Sequence, residues 1–123
     1  MTSLSVMGVG KIGGEVAYLA AVLGIADEIC LFDSNTALSH AQALDIRHTG
    51  IDLSLSTDPE DISKADITVF SAGMPRTPDI KTRADLFSGN LPVADDCAAY
   101  LDGYPGVLIT VTNPMDANNY YLH

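Results

Sequence analysis

The 123-residue sequence predicts an α/β fold with a doubly wound parallel sheet. Three observations carry that expectation. Short apolar runs at residues 4–7, 28–32, 67–71 and 107–111 read as strands, and stretches of helical spacing lie between them. The first run ends in Gly8-Val9-Gly10-Lys11-Ile12-Gly13, a G-x-G-x-x-G turn from strand into helix. The polar residues Asp33, Ser71 to Gly73 and Asn113 each follow a strand, so a parallel sheet would gather them at its carboxyl edge.

The glycine turn has a physical reading at each position. Gly8 permits a tight turn, Gly10 lets a phosphate approach the backbone, and Gly13 lets the helix pack close to the strand. Phosphates would then rest on unpaired N–H groups at the positive end of that helix. Glycine turns also occur for purely structural reasons, so the motif needs support. The support is a second strand, residues 28–32, ending in Asp33, twenty residues beyond Gly13. A carboxylate there would receive ribose hydroxyls. Asp33 also reads as a cap for the next helix, as do Ser34, Asn35 and Thr36.

The remaining elements follow in order. Ile12, Val16, Leu19, Ala20 and Leu23 recur at three- and four-residue steps, the spacing of a first helix. Residues 36–49 read as a second helix with a stripe of Leu38, Ala41 and Leu44, ended by Gly50. Residues 53–57 form a short strand of alternating Leu and Ser. Asp58 caps a helical turn that has Pro59 at its first position. Residues 74–82 are a polar loop. Arg76, Lys81 and Arg83 place three of the six basic residues within eight positions, which suits a visiting anion or, more simply, a solvated loop. Residues 83–103 read as a helix that Pro92 should kink or divide near Asn90. The continuous apolar run 107–111 reads as a strand buried on both faces, and a last helix begins near Met115.

Length and composition bound the function. The chain suffices for one domain with a real core, and 47% hydrophobic residues argue for folding. A formal charge of −10 argues against a nucleic-acid or anionic-membrane partner. Thirteen of the 16 acidic residues are Asp and only three residues are Lys, a surface that suits a salty cytoplasm or an ordinary acidic protein. Cys30 and Cys97 lack metal or redox spacing and read as small core residues; with three scattered His, no metal site is expected. No leader pattern opens the chain and no apolar run approaches ~18 residues, so a cytoplasmic location is the default expectation.

Taken together, the chain resembles the amino-terminal part of the lactate/malate dehydrogenase family, closest to the malate dehydrogenases. The markers are the turn from Gly8 to Gly13, Asp33, Ser71-Ala72-Gly73-Met74-Pro75-Arg76, Arg83-Ala84-Asp85-Leu86-Phe87-Ser88-Gly89-Asn90, and Val111-Thr112-Asn113-Pro114-Met115-Asp116. The resemblance covers nearly all of the chain and implies a Rossmann-type dinucleotide-binding domain over residues 1–123. It implies NAD as cofactor, held by Gly8, Val9, Gly10, Lys11, Ile12, Gly13, Asp33, Ala72, Gly73, Asn90, Val111, Thr112 and Asn113. It implies malate and oxaloacetate as substrates, with Arg83 polarising the carbonyl, Arg76 at the position that selects the second carboxylate, and Asn113 also reaching the substrate. It implies a cis Asn113–Pro114 bond and a homo-oligomer.

Two departures stand out. The usual loop resembles Arg-x-Pro-Gly-x-Thr-Arg, whereas here residues 76–83 are one longer and Asp79 replaces the glycine. Family members are also well over twice this long. By resemblance the proton-donating His, its partner Asp, a further substrate Arg, the sixth strand and the substrate domain come later, and His123 does not match the catalytic motif. The expectation is therefore a fragment that binds NAD and is inactive alone. Alternatives are a non-catalytic NAD-binding module, a dehydrogenase for lactate or another 2-hydroxy acid, or an unrelated protein of the same fold.

Overall fold

A computed structural model of the protein describes residues 2–73, 78, 81–112, 117, 120 and 122, with Arg83 described by its backbone alone. Strands β1 (Ser3–Met7), β2 (Glu28–Phe32), β3 (Ser54–Ser56), β4 (Ile67–Phe70) and β5 (Val107–Thr110) form one parallel sheet in the order β3-β2-β1-β4-β5. Helices α1 (Lys11–Val22), α2 (Thr36–Arg47) and α3 (Arg83–Leu101) connect them, with a 3₁₀ helix at Pro59–Lys64. The chain steps outward from β1 through β2 to β3, then returns to place β4 on the other side of β1. That reversal opens a crevice above the carboxyl ends of β1 and β4.

Alternation along the strands divides the core into two layers. Leu4, Val6, Ile29, Leu31 and Val69 face α1 and α2, while Met7, Cys30 and Phe70 face α3 and the 3₁₀ helix. Two hydroxyls interrupt the second face. Ser5 and Thr68 sit opposite each other in register and satisfy one another at 2.7 Å, so neither buried hydroxyl is orphaned.

The first helix buries a different face from the one its large apolar residues suggest. Ile12, Leu19 and Leu23 are 62%, 50% and 67% exposed, and the buried positions are Gly13, Gly14, Ala17, Ala20 and Ala21. The helix lies so close to the sheet that only small side chains fit beneath it. In the second helix Ser39, Ala43 and Ile46 are buried and Leu38 packs against the core, whereas Ala41 and Leu44 face outward. Gly50, at φ +75°, turns the chain just beyond its end as expected.

Pro92 does not divide the third helix, which runs unbroken from Arg83 to Leu101. Pro92 and Ser88 are both exposed, so water can take the carbonyl that loses its partner. The start is fixed by a capping box: the Thr82 hydroxyl accepts from the Asp85 N–H, and the Asp85 carboxylate accepts from the Thr82 N–H. β5 is not buried on both faces. It stands at the sheet edge, where Leu108 packs on the α3 layer but Val107 and Ile109 are 58% and 46% exposed. At the other edge, Asp58 caps the 3₁₀ helix by accepting from Glu60 N–H, with Pro59 at the first position as its sequence predicts.

Candidate cofactor site

The glycine turn is built as a close three-body contact between β1, α1 and β4. Gly8 adopts φ +91°, a left-handed conformation that L side chains rarely adopt, and a Cβ there would also strike the Ala72 backbone. A Cβ on Gly13 would overlap the Gly8 carbonyl and crowd Ser71 Oγ. Gly10 differs in kind: a Cβ there would meet nothing within 4 Å. Gly13 is therefore demanded by the fold, whereas nothing in the fold requires Gly10 to lack a side chain. Gly10 is also the N-cap of α1, and no side chain caps it among the described residues. The N–H groups of the first helical turn face the crevice as donors without helical partners, the arrangement that favours an anion.

The side of the turn facing β2 is tied by Asp33. Its Oδ2 accepts from the N–H of buried Val9 at 3.0 Å, and its Oδ1 accepts from the Asn35 N–H at 2.9 Å. The carboxylate is thus aimed along the crevice with lone pairs to spare. The helix cap is a different residue: the Asn35 side chain accepts from the Leu38 N–H. The Val9 carbonyl receives the Gln42 amide at 3.4 Å, so both backbone polar groups of Val9 are engaged, one by α2 and one by the residue that follows β2.

The side facing β4 is tied by Ser71, whose Oγ donates to the Gly8 carbonyl at 2.6 Å. Beyond it, Ala72 accepts through its carbonyl from Thr112 Oγ1 at 2.7 Å. A Cβ on Gly73 would touch both Thr112 and buried Asn90, so these three positions pack together although they come from three elements. Val111, exposed beside them, donates its N–H to the Phe70 carbonyl at 2.9 Å. Lys11 and Ile12 lie exposed on the first turn of α1.

A cleft of about 370 Å³ runs between these parts, lined by Gly8, Gly10, Asp33, Ser71, Ala72, Gly73 and, from α3, Val93, Asp96 and Cys97. Burial, reinforced by the charges of Asp96 and Asp33, pushes the Cys97 thiol up to about 12. Burial likewise pushes Cys30 up to about 11, with Asp61 next in effect. Both are neutral thiols at physiological pH and neither is an activated nucleophile.

Of the residues singled out in the sequence, Gly8, Gly10, Asp33, Ala72 and Gly73 line the cleft; Val9 and Gly13 pack behind the turn, Lys11 and Ile12 are exposed on α1, and Asn90, Val111 and Thr112 lie near Gly73 and Phe70 without lining it. Arg76, Asn113, the Asn113–Pro114 bond, Met115 and His123 lie outside the described residues, as does the side chain of Arg83; its backbone is the first residue of α3. Sequence reasoning did not single out Gln42 or the lock made by Ser71. Ser71 was legible as a polar residue ending a strand; Gln42 carried no local signal, because its role depends on α2 lying against α1.

Residues 2–123 match the family described as lactate/malate dehydrogenase, NAD binding domain. The chain belongs to that family. It is 32% identical to a malate dehydrogenase of Pelagibacter ubique, over 94% of this chain and 38% of that protein. A malate dehydrogenase structure from Plasmodium falciparum superposes with a TM-score of 0.87 at 28% identity, covering 100% of this chain and 41% of the other. A lactate dehydrogenase from Cryptosporidium parvum, solved with lactic acid and NAD, superposes at 0.85 with 30% identity, over 98% and 40%. The chain spans about two fifths of the length of these relatives. The cofactor of this domain family is NAD, and the site fits it: an uncapped helix start with open space at Gly10 suits the pyrophosphate, and an aimed carboxylate at Asp33 suits the ribose. Among the described residues no cluster of His, Cys, Asp or Glu could hold a metal, and no helix is long and apolar enough to cross a membrane.

Proposed function

We propose that residues 1–123 form the dinucleotide-binding domain of an NAD-dependent dehydrogenase acting on malate and oxaloacetate. The observation that carries the reading is the contrast within the glycine turn: Gly13 is filled by the fold, while Gly10, which lines the cleft, has open space where a Cβ would stand and lies beside uncapped N–H groups. In this reading Gly8 to Gly13 bind the pyrophosphate, and Asp33 receives the adenosine ribose hydroxyls. Ala72, Gly73, Asn90 and residues 111–113 line the path toward the nicotinamide. NAD, when bound, supplies the hydride acceptor or donor for the interconversion of alcohol and ketone.

The substrate assignment rests on two arginines. Oxaloacetate carries a second carboxylate that pyruvate lacks, and a guanidinium fork at Arg76 would pair with it bidentately. Arg83 would stabilise the negative charge that builds on the carbonyl oxygen. A lactate-type substrate is the second reading, favoured by the likeness to the Cryptosporidium lactate dehydrogenase. Reduction also needs a proton donor. His40 and His48 are on or just after α2 and neither lines the cleft, so neither is placed to give that proton; in this reading the 123-residue chain alone binds cofactor without turnover. Exposed Ile12, Leu19, Leu23 and Ile25 are compatible with a homo-oligomer.

Two measurements test this. Light scattering and an assay of NADH oxidation with oxaloacetate address the isolated chain; steady turnover, abolished by Arg83→Ala, would overturn the assignment of the proton donor elsewhere. In the enzyme that carries this domain, Arg76→Gln should lose oxaloacetate turnover far more than pyruvate turnover. Equal losses would remove Arg76 from the specificity role.

A further inference from the structure

Each carboxylate oxygen of Asp33 already accepts one hydrogen bond from the protein before any ligand arrives. Its Oδ2 accepts from Val9 N–H at 3.0 Å, in the middle of the glycine turn, and its Oδ1 accepts from Asn35 N–H at 2.9 Å. The first bond spans 24 residues and is partly buried; the second is local and exposed. Val9 itself is fully buried, so water does not readily replace the carboxylate as acceptor for its N–H. The following peptide is held as well, through the Val9 carbonyl, which accepts from Gln42 Nε2. The turn is therefore not a free loop between strand and helix. It is fastened at its centre by the carboxylate expected to meet the ribose.

We propose that Asp33 is a positioning residue for the phosphate-binding turn as well as a ribose ligand, acting through its hydrogen bond to the Val9 N–H. The inference rests on the cofactor reading above. It has a definite consequence: Asp33 contributes to binding a nucleotide pyrophosphate that has no ribose hydroxyls to offer. Recognition of ribose and of phosphate is then coupled through one carboxylate. A substitution made to admit a 2′-phosphate also loosens the pyrophosphate site.

The test combines a ligand lacking the hydroxyls with a measurement made without ligand. ADP and 2′,3′-dideoxy-ADP are titrated into the wild type, Asp33→Ala and Asp33→Asn, with folding checked by circular dichroism. Asp33→Ala should weaken dideoxy-ADP about tenfold, the loss expected for a hydrogen bond to a charged group. Asp33→Asn should stay within about threefold of wild type for dideoxy-ADP, because its amide oxygen can turn inward to Val9 and leave its NH₂ toward the exposed side. In the ligand-free protein, Asp33→Ala should speed hydrogen exchange at the Val9 amide about tenfold while leaving Val6 in β1 unchanged, and Asp33→Asn should restore most of the protection. Asp33→Ser, which also removes the carboxylate, carries the same measurements should the alanine variant fail to fold. Unchanged dideoxy-ADP affinity alongside weakened ADP, or unchanged Val9 exchange, would overturn the positioning role. Failure of the wild type to bind either nucleotide would instead sink the cofactor reading, and the exchange measurement would still decide the anchor.

Discussion

The Ser71 hydroxyl donates to the Gly8 carbonyl at 2.6 Å, joining the end of β4 to the first glycine of the turn after β1. The two residues are 63 positions apart, and the same hydroxyl stands where a side chain on Gly13 would have to go. One contact thus ties the strand reversal, the turn and the helix start together. Ser71→Ala should destabilise the fold by about 1 kcal/mol, the net worth of one such bond. Ser71→Thr should lose less, since it keeps the hydroxyl. Urea denaturation measures both; an alanine variant as stable as wild type would show the contact to be incidental.

The roles of the second and third glycines of the turn separate by substitution. Gly13→Ala forces a methyl group into the Gly8 carbonyl, backbone that is slow to yield, and should cost about 3 kcal/mol of stability. Gly10→Ala meets no protein atom and should cost under about 1 kcal/mol, mostly from a poorer N-cap. Its methyl group would stand in open space at the residue where the proposed site brings the pyrophosphate against the backbone. NAD affinity should fall about tenfold or more in a protein that melts almost normally. Were Gly10→Ala to bind NAD as wild type does, the phosphates would not lie against this turn.

The two cysteines predict a response to alkali. Cys97, raised by burial to about 12, and Cys30, raised to about 11, both have an ordinary value of 9.0. The folded state therefore keeps protons that the unfolded chain loses above pH 9. Stability from this source is fully present below pH 9 and declines as pH rises through the folded values. At pH 8 both thiols should resist iodoacetamide until the protein is unfolded. Rapid labelling of Cys97 in the native protein would mean that the cleft wall opens readily.

Asn35 supplies the N-cap of α2, with its side chain accepting from the Leu38 N–H. Asn35→Ala should cost about 1 kcal/mol without touching Asp33. Thermal melting and NAD titration of this variant separate the two neighbours: stability should fall while affinity holds. A large loss of affinity would show that the helix cap also shapes the ribose site.

Much of this arrangement is readable in the residues. The strands at 28–32 and 67–70, the glycine turn, Asp33 beyond β2 and the cap at Asp58 are local signals, set by periodicity, by the conformational range of glycine and by side chains that bond their own backbone. What escaped was decided between elements. Ile12, Leu19 and Leu23 form a fair helical stripe, yet the closeness of α1 to the sheet leaves space only for Gly13, Ala17, Ala20 and Ala21. Val107 and Ile109 have the composition of a central strand, yet among the described residues nothing covers one face of β5. Pro92 would end an isolated helix, but the exposed side of α3 tolerates it. In the site, Gln42 reaches Val9 only because α2 packs beside α1, which no spacing in the sequence encodes.

The most direct measurement is a calorimetric titration of the protein with NAD and with NADP under identical salt. Asp33 would accept hydrogen bonds from ribose hydroxyls and repel a 2′-phosphate, and no Lys or Arg lies between Asp33 and Arg47 to offset that repulsion. NAD should bind, and NADP should bind at least about tenfold more weakly, a difference of about 1.4 kcal/mol. Equal or tighter binding of NADP, or binding of neither nucleotide, would contradict the assignment of the Gly8 to Gly13 turn and Asp33 as an NAD site.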